Sequence, residues 1–400
     1  MIRKTIVLYN ILGMLMAFAA ASHAAIYVLF LMAHGLNLIE VNLINVAFFV
    51  MWTLMEIPTG TVADVFGRKP SYIISCALYA LGMFVYAAGD SFSWFIAAEM
   101  IAAIGATFAS GAFDAWVADR LKHFGHTESL APLNAQHSLL KSGVSIVGAI
   151  VGASLYGINM AIPWALGGVV ALIAGLVAAL CMREEYFTPP TERGVRAQKI
   201  ALAKTVRASM AYARTNASFR FVALMVAAYH IATMAMNMQW APRFEPHLPF
   251  DSAKGLVFAA IAVFSMIGAA IARHVAPRIV NERRAIMLSL FGTAVAMILA
   301  GATPVLIPSL AFFLLHEVGR YAFFPFKDAY LQRELPTKER ATILSIESMI
   351  GKGAGAIGLV ASGLLAEYGS ISLSWICSGA FLAIAMLLLW RSAHHTTTSP

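Results

Sequence analysis

Apolar runs long enough to cross a bilayer, parted by short polar turns, recur along the whole 400-residue chain. About twenty apolar residues span the hydrocarbon core as a helix. On that ruler the sequence predicts helices at 7–33, 42–62, 71–90, 93–118, 134–157, 162–181, 218–240, 253–274, 285–303, 306–331, 342–365 and 372–390. One polar connection is much longer than the others. Residues 182–217 are rich in basic side chains, with alanine-rich helical spacing after Gln198, as expected of an amphipathic linker lying on the membrane surface. The expected fold is an all-α membrane protein of twelve transmembrane helices in two six-helix bundles, 1–181 and 218–400, joined by that linker.

Composition sharpens the picture. Hydrophobic residues make up 60% and charged ones 12%, where a soluble domain has roughly 25% charged, so a water-soluble enzyme is excluded. Arg3 and Lys4 precede an apolar run that is too long for a cleavable signal peptide and lacks a clear processing site. Cys76, Cys181 and Cys377 fall in or at the ends of predicted spans and lie far apart, which indicates neither a disulfide framework nor a metal cluster. The net charge of +8 is no nucleic-acid footprint, because the basic residues occupy alternate connections. With the N-terminus inside, 22 of the 28 Lys and Arg fall on the cytoplasmic side and only Arg243 and Lys254 on the outer side. That bias predicts both termini in the cytoplasm. Lys141, Arg320, Lys327 and Lys352 remain, and these lie within predicted spans.

Between the second and third predicted spans runs Gly60-Thr61-Val62-Ala63-Asp64-Val65-Phe66-Gly67-Arg68-Lys69. It reads as a polar turn whose glycines allow a tight bend and whose Asp64 can accept hydrogen bonds at the head of the next helix. The stretch resembles the loop signature of the major facilitator superfamily, roughly G-x-L-a-D-r-x-G-r-k, with Gly60, Asp64, Gly67, Arg68 and Lys69 matching and Val65 where a basic residue is usual. The resemblance implies a secondary transporter whose central cavity is lined by the first helix of each triplet. It also implies that Asp64 and Asp119 join a cytoplasmic charge cluster acting as a gate. Lys141 and Lys352 are candidate partners for those carboxylates; snorkelling to headgroups is the other reading. Gly148, Gly152 and Gly157 partly resemble the antiporter signature of the same superfamily, with Ala153 and Tyr156 departing from it; small residues at that spacing also permit close helix packing.

An internal repeat supports two bundles. A shift of 214 residues lays Gly105, Asp114 and Trp116 on Gly319, Asp328 and Tyr330; a shift of 210 lays Ser138, Gly143 and Gly148 on Ser348, Gly353 and Gly358.

A charge in hydrocarbon is costly enough that its position reports where water or substrate must be. The third, sixth, ninth and twelfth predicted spans carry no Asp, Glu, Lys or Arg in their interiors, whereas the first, fourth, seventh and tenth hold Asn10, His23, Glu99, Asp114, His230, Asn237, His316, Glu317, Arg320, Lys327 and Asp328. On the tenth, Glu317 and Arg320 are spaced to pair across one turn, with His316 beside them. The pair is either a packing element or a titrating site, in which withdrawal of Arg320 makes Glu317 take up a proton. On the seventh, His230, Thr233, Asn237 and Trp240 share a face that could meet a ligand; on the first, His23 and Tyr27 do the same. Each histidine could equally be packed and hydrogen-bonded. Asp114 belongs either to the cytoplasmic cluster or to the cavity.

No phosphate-binding Gly-x-x-x-x-Gly-Lys-Ser/Thr is present, so energy is expected from an ion gradient, and carboxylates with histidines favour protons. The expectation is a monomeric, multi-pass protein of the plasma membrane, a bacterial inner membrane, that needs no cofactor beyond the proton gradient. Its partners are a small-molecule substrate, protons and membrane lipids, with efflux favoured over uptake. A membrane-embedded enzyme would need a nucleophile with its base, or a metal set such as His-x-x-x-His, and neither is evident. A non-transporting receptor would have little reason to keep His316, Glu317 and Arg320 in apolar surroundings.

Overall fold

Among the described residues, fourteen α-helices account for twelve crossings, because two spans are broken in the middle. The computed structural model describes residues 1–187, 207, 216–279, 281–334 and 340–395, and no strand occurs among them. The helices are α1 (Ile2–Ala24), α2 (Tyr27–Ala33), α3 (Leu38–Phe66), α4 (Arg68–Ala88), α5 (Phe92–Ala109), α6 (Ala112–His123), α7 (Ala131–Tyr156) and α8 (Ile162–Cys181). They continue as α9 (Ala217–Phe244), α10 (Ser252–Val275), α11 (Glu282–Ala302), α12 (Leu306–Glu334), α13 (Arg340–Tyr368) and α14 (Ile371–His395). Eleven spans are long and apolar enough to cross a membrane. The other crossing, α12, has the length but carries Glu317, Arg320, Lys327 and Asp328.

Both breaks were invisible to the hydrophobic pattern, which predicted single helices at 7–33 and 93–118. In the first span Ser22 Oγ donates to the carbonyls of Ala19 (2.8 Å) and Pro163 (3.0 Å). Such back-bonding bends a helix, and the regular ladder stops two residues later. In the fourth, Gly111 adopts φ 72°, a left-handed conformation that side chains disfavour, so α6 starts afresh with Asp114 in its first turn. The polar turn at 60–69 is a further correction. Residues 60–66 are helical, and the connector to α4 is Gly67 alone, at φ 104°.

Chain contacts group the described residues into two units. The first holds 1–36, 44–187 and 248–259; the second holds 37–43, 216–247 and 260–395. Two short segments thus group away from their sequence neighbours. Asn42 at the start of α3 donates to Leu359 O (2.8 Å), and Gly255 near the start of α10 lies against the backbone of Ile150. Of the expected linker 182–217, residues 188–206 and 208–215 lie outside the described ones.

Each unit repeats one packing scheme. In the first, α1 packs on α7 and α8, and α4 packs on α5 and α8; in the second, α9 packs on α13 and α14, and α11 packs on α12 and α14. The agreement reaches single atoms. A Cβ built on Gly105 would sit 3.1 Å from Ser75 O and 2.9 Å from Tyr79 N, and one on Gly319 would sit 3.0 Å from Ser289 O and 3.3 Å from Thr293 N. Those partners are themselves 214 residues apart. Likewise Gly148 faces Phe18 O and Gly358 faces Ile231 O. Small residues let backbones approach where lipid supplies no hydrophobic drive between helices. Gly148 and Gly152 therefore have a packing role, α7 against α1, whatever else their spacing resembles. On α4, α8, α11 and α14, the spans without interior charge, Leu81, Leu176, Leu288 and Leu388 stand exposed, as lipid-facing positions should.

Gly152 makes the closest of these approaches, since a Cβ there would fall 1.6 Å from Ser22 O. Gly152→Ala should cost about 1–3 kcal/mol by overpacking and lower the Tm of the purified protein by several degrees. Gly143→Ala, with nothing within 4 Å, should leave it unchanged or slightly raised. Equal melting for the two variants would contradict the α1–α7 contact.

Candidate functional site

In the second unit, one turn of α12 gathers the most polar buried group. Glu317 is 2% exposed. Its Oε1 accepts from Arg320 Nη1 at 2.9 Å and its Oε2 from Ser265 Oγ at 3.1 Å. The same guanidinium donates from Nη1 to Asn237 Oδ1 (2.6 Å) and from Nε to Tyr229 OH (3.0 Å). Arg320 therefore ties α12 to α9 while neutralising Glu317. His316 is fully buried; its Nδ1 donates to Phe313 O. The opposite nitrogen, Nε2, is buried without a hydrogen-bond partner and lies 3.6 Å from Glu317 Oε1. With Nδ1 carrying the donated proton, Nε2 of the neutral ring is a lone pair facing a carboxylate oxygen. One proton between them would turn an acceptor facing an acceptor into a favourable contact.

On the face expected of the seventh span, His230 and Asn237 are partly exposed while Thr233 and Trp240 are buried. Asn237 is spent on Arg320. His230 Nδ1 donates to Val226 O (2.8 Å) and its ring lies against Gly351, while Thr233 donates to Tyr229 O (2.9 Å). Trp240 is 6% exposed. Further along α12, Lys327 Nζ reaches Glu347 Oε1 at 2.7 Å and Asp328 Oδ1 at 3.6 Å, a link to α13 that spacing could not show. Lys352 lies half-buried on α13.

The first unit contains a cavity of about 820 Å³. Asp114 lines it, and Oδ1 accepts from Tyr9 OH at 2.6 Å. Lys141 lines it as well, rather than serving Asp64 or Asp119. Between them sits His137, a residue the sequence reading missed. It is buried, its Nδ1 lies 3.0 Å from Asn10 Oδ1, and its ring stacks on Tyr9 with centroids 3.9 Å apart. Gly13 makes room, since a Cβ there would fall 2.1 Å from His137 Cε1.

Glu99 and Tyr27 lie elsewhere in that unit. Asn45 Nδ2 donates to Tyr27 OH (2.8 Å), Tyr27 OH is 3.5 Å from Tyr86 OH, and Tyr86 OH donates to Glu99 Oε2. This chain joins four spans around a carboxyl that is 9% exposed. His23 is a packed aromatic here, stacked on Trp164 with centroids 4.4 Å apart, and is not among the cavity's lining residues.

At the 60–69 turn, Asp64 does not cap α4. It pairs with Arg68 at 2.5 Å, and the cap comes from Glu184, whose oxygens accept from the backbone N–H of Arg68 (2.7 Å) and Lys69 (2.9 Å). A carboxylate on two orphan N–H groups at a helix N-terminus is favourable on both hydrogen-bond and dipole grounds. Lys69 Nζ donates to Ala179 O (2.7 Å). Gly60 has open space where a Cβ would go, so no local contact demands glycine there. Asp119 stands exposed, and its neighbour Arg120 makes the bonds: to Glu185 Oε2 (2.7 Å), Arg183 O (2.7 Å) and Thr5 Oγ1 (3.1 Å). Partial burial, followed by the Glu184 and Asp119 carboxylates, pushes the nearby Tyr186 hydroxyl above its ordinary range.

Twelve crossings in two repeated six-helix units, with ionisable groups gathered inside each, define a multi-pass membrane carrier. The chain belongs to the Major Facilitator Superfamily, whose family model matches residues 10–315 and 252–400. It is a family of transporters and not of enzymes. Among curated proteins, the chain is 24% identical over 374 residues to the uncharacterized MFS-type transporter YxaM of Bacillus subtilis (strain 168), covering 91% of this chain and 88% of that one. Among solved structures, it superposes on the nucleoside transporter NupG with a TM-score of 0.73 at 15% identity, over 97% of this chain and 98% of that one. It superposes on a bacterial homolog of the human lysosomal transporter Spinster with a TM-score of 0.77 at 14% identity, over 98% and 96%. At such identities the structures share the fold alone.

The Gly67 corner gives a testable ordering. The Asp64–Arg68 pair is half-exposed, with Asp64 at 43%, and such pairs contribute about 0–1 kcal/mol; loss of a helix cap costs typically about 1 kcal/mol. Glu184→Ala should therefore lower the Tm more than Asp64→Asn does. The reverse order would place the turn's stability on the family motif instead of the cap.

Proposed function

We propose that the protein is a proton-coupled secondary transporter that exports a small organic solute across a bacterial inner membrane by alternating access. The observation that carries the coupling is the contact between His316 Nε2 and Glu317 Oε1, buried and 3.6 Å apart with no donor between them. Arg320 links this carboxylate to α9. It is divided among Glu317, Asn237 and Tyr229, so a substrate or a movement of α9 that draws the guanidinium towards other acceptors removes the charge compensation of Glu317. A carboxylate left buried without that compensation takes up a proton, and His316 Nε2 stands ready to share it. Return of Arg320 expels the proton. Proton uptake and guanidinium release are then one event, as coupling requires.

The glycines of α7 tilt the direction towards antiport only through their partial likeness to a family signature, since their contacts with α1 already give them a structural use. The coupling reading is checked in proteoliposomes. Glu317→Gln should abolish uphill transport driven by an imposed pH gradient while leaving substrate exchange at equilibrium largely intact; the retained exchange shows that the variant is folded and cycling. Gradient-driven accumulation equal to that of the unaltered protein would remove Glu317 from the proton path.

A further inference from the structure

The first-unit cavity holds two opposite charges that are not paired with each other. Asp114 and Lys141 both line it, and neither takes part in an ion pair among the described residues. We propose that this cavity recognises a zwitterionic solute, its cationic group on Asp114 and its anionic group on Lys141; the proposal rests on the transporter reading above and names the substrate class.

Three features make the pair of charges a built site. Gly111, at φ 72°, stands at the N-cap of α6, which begins with Asp114 in its first turn, lining the cavity. Tyr9 fixes that carboxylate by donating to Oδ1 at 2.6 Å, which leaves Oδ2 for a ligand. Tyr9 is itself held by stacking on His137, and His137 by Asn10 and the clearance over Gly13. Lys141 follows His137 by four residues on α7, one turn along the same face, so the ammonium and the carboxylate flank one rigid imidazole.

Charge balance selects the ligand. A lone cation would satisfy Asp114 and leave the Lys141 ammonium beside a filled, dewetted cavity; a lone anion would do the opposite. Asp114 and Lys141 are both exposed to the cavity, and only a ligand carrying both signs gives each of them a partner as it displaces water. The remaining wall includes Phe113, Tyr72 and Phe258, which suits an apolar or aromatic body between or beside the two polar groups. A volume of about 820 Å³ admits a solute of amino-acid to dipeptide size.

The test is binding to the full-length protein in nanodiscs, scored by thermal shift and titration. The twenty amino acids and a set of simple dipeptides are screened, and each hit is compared with its amide, which is a cation, and its N-acetyl derivative, which is an anion. The zwitterion should bind best. Asp114→Asn should weaken zwitterion and amide by about tenfold or more, the scale of one charge-assisted hydrogen bond, and spare the N-acetyl form. Lys141→Gln should weaken zwitterion and N-acetyl form and spare the amide. Each spared derivative also proves its variant folded. Amide binding equal to that of the zwitterion, or Lys141→Gln without effect, overturns the proposal in favour of a cation site. Failure of every zwitterion to bind overturns it outright, while transport of a neutral or singly charged solute would leave the carrier reading standing. Binding with the predicted charge selectivity, but no flux of the bound solute in proteoliposomes, would instead keep the site and reject the carrier.

Discussion

A charged side chain at the centre of a bilayer costs at least about 2.5–3.5 kcal/mol, and the interior of this protein is arranged around meeting that cost. Three arrangements recur among its ionisable groups. Arg320 and Glu317 neutralise each other and fill their remaining valences with Asn237, Tyr229 and Ser265. Lys327 sits between Glu347 and Asp328. Asp114 and Lys141 open onto a cavity large enough to hold water or ligand. Glu99 follows none of these, since it accepts from the Tyr86 hydroxyl, a neutral donor. Buried ion pairs of this kind add little net stability.

The two units agree in backbone and differ in chemistry. The glycine seats repeat: Gly105 over Ser75 and Tyr79, and Gly319 over Ser289 and Thr293. The same shift of 214 that pairs those glycines places Glu317 opposite Ala103, Arg320 opposite Ala106, and Glu99 opposite Phe313. Helix packing in lipid depends on small residues at fixed places and tolerates little change, whereas polar groups are free to diverge once a cavity keeps them wet or a partner keeps them neutral. A duplicated scaffold can therefore assign different tasks to its halves. Here the second unit carries a buried carboxyl–imidazole–guanidinium group, and the first carries two separated charges on a cavity.

How much of this the sequence disclosed follows from the range of each interaction. The twelve crossings and the Glu317–Arg320 pair were legible because both follow from spacing along one helix. Tyr229, Ser265, the Lys327–Glu347 bridge and the His137–Asn10–Tyr9 set were not, since each joins helices that only tertiary packing brings together. Gly60 and Gly67 look equivalent in the family motif, yet only Gly67 has a positive φ and only there does Glu184 approach. Gly111 gave no sign of breaking the fourth span, because one glycine in an apolar run is tolerated in helices and marks a bend only when neighbours require it. Glu184, which caps α4 from about 115 residues away, lies beyond any local pattern.

The central claim is that Asp114 and Lys141 line water-accessible surface inside the first unit while the uncharged spans face lipid. Cysteine accessibility measures this directly. In a background with Cys76, Cys181 and Cys377 replaced by serine, single cysteines at Ser138, Lys141 and Ser145 should react with a water-soluble methanethiosulfonate, and those at Leu176, Leu288 and Leu388 should not. Reaction at the three leucine positions with silence at the three cavity positions would contradict the account.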